Sequence, residues 1–195
     1  MRITLYDVPR LIAALMIGLC LMGYGGIGEK AYAQPPETEV FLIQNIWGQC
    51  LDVANGSLSA GAAVNSFPCH GNPNQQWHFK DPYAGTQLAR HRHRQLVNER
   101  SGMCLTTQNG RQHGASHTQE NCRTYGFGQN LDPQLFRLDF ASGGNPTWYW
   151  LAGKYGRGCA YDNPQDNTNA VVWHQSTQGC PADFSYYWYL VPVNP

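Results

Sequence analysis

The stretch that decides the fold runs from Cys50 to Trp77, CLDVANGSLSAGAAVNSFPCHGNPNQQW. It opens on Cys-Leu-Asp, reaches a second cysteine at Cys69 and ends in Asn74-Gln75-Gln76-Trp77. The chain repeats this plan twice, less completely. The first cysteines of the three copies, Cys50, Cys104 and Cys159, lie 54 and 55 residues apart. A second cysteine follows each after 19, 18 and 21 residues, at Cys69, Cys122 and Cys180. A strand-like run and a turn precede each copy: Phe41-Leu42-Ile43-Gln44-Asn45 before Gly48, Gln95-Leu96-Val97-Asn98 before Gly102, and Trp148-Tyr149-Trp150-Leu151 before Gly158. An aromatic-x-apolar triplet closes each: Trp77-His78-Phe79, Phe136-Arg137-Leu138 and Trp188-Tyr189-Leu190.

In a strand the first and third side chains of such a triplet share a face. Three copies of that face can meet at one centre, and a repeat of about 50 residues cannot bury it alone. The expected product is a closed, roughly threefold all-β barrel, which also leaves no exposed sheet edge. No segment carries a helical stripe with caps.

Composition agrees. Charged residues make up 13% of the 195 residues, about half the usual quarter, while Gly, Trp and Tyr are abundant. Such a chain favours short strands and turns over a helical bundle. The formal net charge of +0 gives no long-range attraction to nucleic acid or anionic lipid.

The N-terminus reads as a secretory signal over residues 1–33. Arg2 and Arg10 flank its start, an apolar run extends from Leu11 to Leu21, and Ala31-Tyr32-Ala33 forms an A-x-A cleavage site before Gln34. The run is too short for a membrane span, and Leu19 before Cys20 is too large for a lipidation signal. A secreted chain without a transmembrane anchor is expected. Residues 34–39, with Pro35-Pro36, read as a disordered leader. With Cys20 removed, six cysteines remain, an even number suited to an oxidising compartment. Six cysteines allow 15 pairings. The similar short intervals favour one disulfide per repeat, each stabilising by roughly 3 kcal/mol in the loop-entropy view. Without a C-x-x-C pair, metal binding is disfavoured.

Three repeats with Cys-Leu-x, a cysteine about 19 residues on and a Gln-x-Trp resemble a ricin B-type lectin domain, a β-trefoil. The resemblance covers residues 40–195, in repeats of about 40–87, 88–141 and 142–195. Gln75-Gln76-Trp77 fits the Q-x-W signature, Gln134-Leu135-Phe136 has Phe for Trp, and Tyr186-Tyr187-Trp188 lacks the Gln. The implied function is carbohydrate binding, of galactose-type or related glycans, with no cofactor and no metal. A sugar presents a flat C–H patch and a rim of hydroxyls, so its site needs an aromatic plate, amides and a carboxylate. By this resemblance Asp52 is the hydroxyl acceptor and Phe67 the stacking plate. Asn65 and Asn74 are the amide contacts, and Gln75 supports Asp52.

Repeat two departs from the pattern: Thr106 replaces the aspartate, Glu120 the platform and Pro133 the amide, so no site is expected there. In repeat three the carboxylate falls one residue late, at Asp162, and Trp173 and His174 are both candidate platforms for a second site. The run Arg90-His91-Arg92-His93-Arg94 reads as a solvated hairpin rather than an anion site, and a His91/His93 zinc pair lacks a third ligand. No nucleic-acid signature appears. Nucleophile elbow, H-E-x-x-H and phosphate-loop motifs are missing, so no enzyme activity is expected, and a glycoside hydrolase is the weakest reading. The leading rival is the cell-binding subunit of a multi-chain toxin such as a cytolethal distending toxin. For that role the aromatics of Trp148 to Trp150 and Tyr186 to Trp188 would form an exposed interface.

Overall fold

Apolar residues at alternate positions place Phe41 and Ile43 inward along the first strand, whose burial alternates over its six residues. The same rule repeats around the molecule. The structure, a computed structural model, describes residues 35–85, 93–109, 112–126, 130–140, 149–154, 158–162, 170–175, 180–181 and 183–193. The targeting segment, residues 90–92 of the basic run, and Trp148 lie outside the described residues.

Among these residues each repeat supplies four strands. Repeat one has β1 (Val40–Asn45), β2 (Gln49–Val53), β3 (Ala63–Pro68) and β4 (Gln76–Lys80). Repeat two has β5 (Gln95–Asn98), β6 (Cys104–Thr107), β7 (Ala115–Glu120) and β8 (Phe136–Phe140). Repeat three has β9 (Tyr149–Gly153), β10 (Gly158–Asp162), β11 (Val171–Gln175) and β12 (Trp188–Pro192). First and last strands make a barrel in which β1 pairs β4, β4 pairs β5, β8 pairs β9, β9 pairs β12 and β12 pairs β1, all antiparallel. A bridge between Arg94 and Phe136 closes the remaining gap. The inner hairpins β2–β3, β6–β7 and β10–β11 meet at one end. There β7 pairs with both β3 and β11, and an Asn65–Ala170 bridge completes the triangle. This is a β-trefoil, as the threefold repeat implied.

The closing triplets fill the barrel. Trp77, Phe79 and Trp188 are fully buried and Phe136 nearly so. Buried indoles need an acceptor. Trp77 Nε1 donates to the Leu51 carbonyl at 2.9 Å, and Trp188 Nε1 donates to the equivalent Ala160 carbonyl at 3.2 Å. Phe136 has no donor, so repeat two forgoes this tie. The disulfides pair Cys50–Cys69, Cys104–Cys122 and Cys159–Cys180, one per repeat.

At the hairpin junction His117 is buried against Phe136 and Trp173, and its Nδ1 donates to the Val171 carbonyl at 2.9 Å. Trp173 is also a core residue, 3% exposed. Its indole lies on Gly153 and Gly158, where an added Cβ would come within 2.6 and 2.4 Å of the ring. These glycines are needed for close approach of the ring, not for their backbone angles.

Residues 35–39 of the expected disordered leader form a turn in which Glu39 N donates to the Pro36 carbonyl. Glu37 Oε1 accepts from Asp81 N at 2.8 Å, an anchorage nothing local in the sequence signalled. From the basic run, Arg94 pairs with Asp81 at 2.6 Å and is structural. The expected exposed aromatic interface is corrected: Tyr186 and Tyr187 are each 5% exposed and Trp188 is fully buried, because they close the third repeat around its disulfide and core. Among the described residues no helix is long and apolar enough to cross a membrane.

Candidate functional site

Strand pairing brings the repeat-one residues together. Asp52 on β2 lies directly across from Asn65 on β3, and Phe67, two residues further along β3, projects to the same side as Asn65. Phe67 is 49% exposed, a large apolar ring left in water, while Asp52 beside it is only 5% exposed. After the disulfide, Pro73 starts a single 3₁₀ turn, Pro73–Gln75, that tucks Asn74 and Gln75 back underneath. Asn74 Nδ2 donates to Asp52 Oδ2 at 2.8 Å and to the Val53 carbonyl at 3.3 Å. The amide donor of Asn74 is therefore committed to the carboxylate, and the residue positions Asp52.

Gln75 is a brace. Its Oε1 accepts from His70 N at 2.8 Å and Gly71 N at 3.2 Å, and its Nε2 donates to the Pro68 carbonyl at 3.1 Å. Gln134 repeats this in the second copy, accepting from Arg123 N at 2.8 Å and donating to the Asn121 carbonyl at 3.0 Å. It also donates to Thr106 Oγ1, in the place of Asp52. The glutamine thus holds the loop around each second cysteine in the first two repeats, whether or not the repeat keeps an aspartate.

Burial pushes the Asp52 carboxyl above its ordinary value, partly offset by hydrogen bonding from Gln75, the nearby His70 and hydrogen bonding from Asn74. His70 Nε2 stands 3.5 Å from Asp52 Oδ2. Asn65 lines the same cleft, and its Oδ1 is buried with no hydrogen-bond partner among the described residues. These groups line an open cleft of about 480 Å³. Phe67 and His70 contribute from β3 and the disulfide loop, Ala54, Asn55 and Gly56 from the turn after β2, and Arg100 from repeat two. His70, Asn72, Asn55 and Arg100 escaped sequence reasoning. His70 follows directly on Cys69 and could have been suspected; Arg100 arrives from another repeat and had no local signal.

The repeat-three expectation is corrected by register. Cys159 pairs with His174, Ala160 with Trp173 and Tyr161 with Val172, whereas in repeat one Cys50 pairs with Phe67, Leu51 with Ser66 and Asp52 with Asn65. His174 therefore occupies the platform position, Trp173 points into the core, and Tyr161 stands where the aspartate would. Asp162 falls on the Val53 position, is fully buried, and accepts a hydrogen bond from Asn45 Nδ2. Around His174 gathers an aromatic cluster instead. Its ring centroid lies 5.2 Å from that of Tyr186, whose hydroxyl meets Nδ1, and 4.7 Å from that of His113. Burial and the neighbouring His113 lower the pKa of His174. A buried Asp162 and a buried Trp173 cannot hold a sugar between them.

Residues 33–121 match the family model described as ricin-type beta-trefoil lectin domain-like. None of the curated proteins matches the sequence. Among solved structures, the designed threefold-symmetric protein ThreeFoil superposes with TM-score 0.60 at 24% identity, over 79% of this chain and 99% of that one. A ricin B-like lectin from Macrolepiota procera, solved with lactose, gives TM-score 0.57 at 15% identity, over 82% and 99%. The cytolethal distending toxin of Actinobacillus actinomycetemcomitans gives 0.59 at 16%, over 82% and 95%. At these identities the likeness is one of fold. Residues 33–121 thus resemble the ricin-type β-trefoil lectin-like family in sequence, and the described residues of all three repeats share the β-trefoil fold of these solved structures.

Proposed function

We propose that this protein is a secreted lectin that binds a galactose-type or related glycan in the repeat-one cleft and performs no catalysis on it. The observation that carries this reading is the combination, in one cleft of about 480 Å³, of an exposed ring, a braced carboxylate and a facing amide side chain. Phe67 faces the C–H patch of a sugar, Asp52 accepts from hydroxyls in the charge-assisted manner, and the Asn65 amide beside them supplies a further polar contact. Asn74 and Gln75 hold the carboxylate and its loop in place before the sugar arrives, so little ordering is left to binding. The lactose complex of the Macrolepiota procera protein lends weight to a galactose-type ligand.

The toxin-subunit reading has a fold neighbour in the cytolethal distending toxin. Its expected aromatic interface is largely buried here, and no other observation favours it. A glycan array probed with wild type and Asp52→Ala tests the proposal. Charge-assisted hydrogen bonds contribute about 1.5–3 kcal/mol, so the variant is expected to lose roughly ten- to hundredfold in affinity. No glycan signal from the wild type would end the lectin reading, and a signal unchanged in the variant would move the site elsewhere. Release of free sugar from oligosaccharides incubated with the protein would contradict the absence of catalysis.

A further inference from the structure

Arg100 belongs to repeat two, in the turn between β5 and β6, yet it lines the repeat-one cleft. Two contacts hold it there. Its backbone N–H donates to Asn98 Oδ1 at 3.1 Å, and its Nε donates to the Gly56 carbonyl at 2.7 Å. Gly56 has φ +56°, and a Cβ built on it would sit 3.2 Å from that same Nε. The glycine leaves room for the guanidinium to lie against the backbone.

Tethering by Nε leaves both Nη groups without a hydrogen-bond or ion-pair partner among the described residues. The side chain is exposed. Among the described residues the only carboxylate lining the cleft is Asp52, which is already engaged by Asn74 and lies near His70. An arginine anchored at one nitrogen, with its outer donors unpaired at the edge of a cleft, is a fixed fork. That geometry matches the two oxygens of a carboxylate or sulfate better than a single hydroxyl. Part of the side-chain entropy that binding an anion would cost is already lost to the Gly56 contact.

We propose that Arg100 forms a subsite for an acidic substituent, a carboxylate or a sulfate, on the glycan held in the repeat-one cleft. The proposal rests on the sugar-binding reading above and deepens it: the neutral ring sits on Phe67 and Asp52, and the acidic group reaches the guanidinium.

The test is an array that carries each neutral core beside its sialylated and its sulfated form, probed at low and at physiological salt. Wild type, Arg100→Gln, Arg100→Lys and Asp52→Ala are compared, with equal thermal melting temperatures establishing that each variant is folded. The wild type is expected to bind an acidic form about tenfold more tightly than its neutral core. That preference should shrink with salt, shrink in Arg100→Lys and vanish in Arg100→Gln, while Arg100→Gln still binds the neutral core. A preference for only the sialylated or only the sulfated form identifies which acid the site takes. Equal binding of neutral and acidic forms, unchanged in Arg100→Gln, overturns the subsite and leaves the lectin reading intact. Absence of any glycan binding overturns both.

Discussion

The buried imidazole of His117 makes the stability of this trefoil depend on pH in a defined window. It is 1% exposed at the junction of the three hairpins, opposite Val64 on β3, with Nδ1 donating to Val171. Burial lowers its pKa from an ordinary 6.5 to about 4, because an imidazolium there would lose its hydration. In the unfolded chain it takes up a proton below 6.5, so between 6.5 and about 4 the unfolded state binds more protons than the folded one. Stability is therefore fully present above pH 6.5 and falls as pH drops toward 4. A shift of that size corresponds to about 3 kcal/mol, a large fraction of the total for an ordinary domain. The perturbation is His117→Val, which copies the residue at the facing position and removes the titration. Urea unfolding with disulfides intact, at half-unit steps from pH 7.5 to 4, gives the difference between the two proteins. The wild type should lose about 3 kcal/mol more than the variant over this range. Asp52, raised by burial, acts in the opposite sense: its contribution is present below the ordinary carboxylate value and is lost as pH rises through the folded pKa. It is common to both proteins and cancels. Parallel curves would refute the claim that His117 is held neutral.

Three other perturbations follow from the packing. Gly158→Ala drives a Cβ to 2.4 Å from the Trp173 ring and should cost about 2 kcal/mol, read as a fall in Tm of about 6 °C. Trp77→Phe removes the indole that donates to Leu51, leaving that carbonyl unpaired and a small void. About 2–3 kcal/mol of stability should be lost in chemical denaturation. Gln75→Ala leaves His70 N, Gly71 N and the Pro68 carbonyl without their partner. Both a stability loss of about 2 kcal/mol and a weakened sugar titration are expected, whereas Gln134→Ala should affect stability alone.

The fold was legible because it is repetitive: three Cys-to-Cys intervals and three closing triplets announce a threefold barrel before any strand is placed. The clustering of the repeat-one candidates was legible because they lie within one hairpin and its adjoining turn. Asp52, Asn65 and Phe67 are set by strand alternation and pairing, which a sequence records directly. Repeat three misled for a physical reason. Measured back from the second cysteine, the platform should lie two residues before Cys180, as Phe67 does before Cys69. Instead His174 lies six residues before it, and β11 takes its register from β10 and β7. A one-residue slip exchanges inward and outward faces, which sends Trp173 into the core and Asp162 with it. Arg100 was illegible for a different reason, since its place in the cleft depends on how repeat two packs against the turn at Gly56.

The most direct test of sugar binding is a crystal structure of the protein with the glycan that gives the strongest array signal. The ring should lie over Phe67, with a hydroxyl donating to Asp52 and another bonded to the Asn65 amide. A sugar found on the His174–Tyr186 cluster of repeat three, with the repeat-one cleft empty at saturating glycan, would contradict the site proposed above.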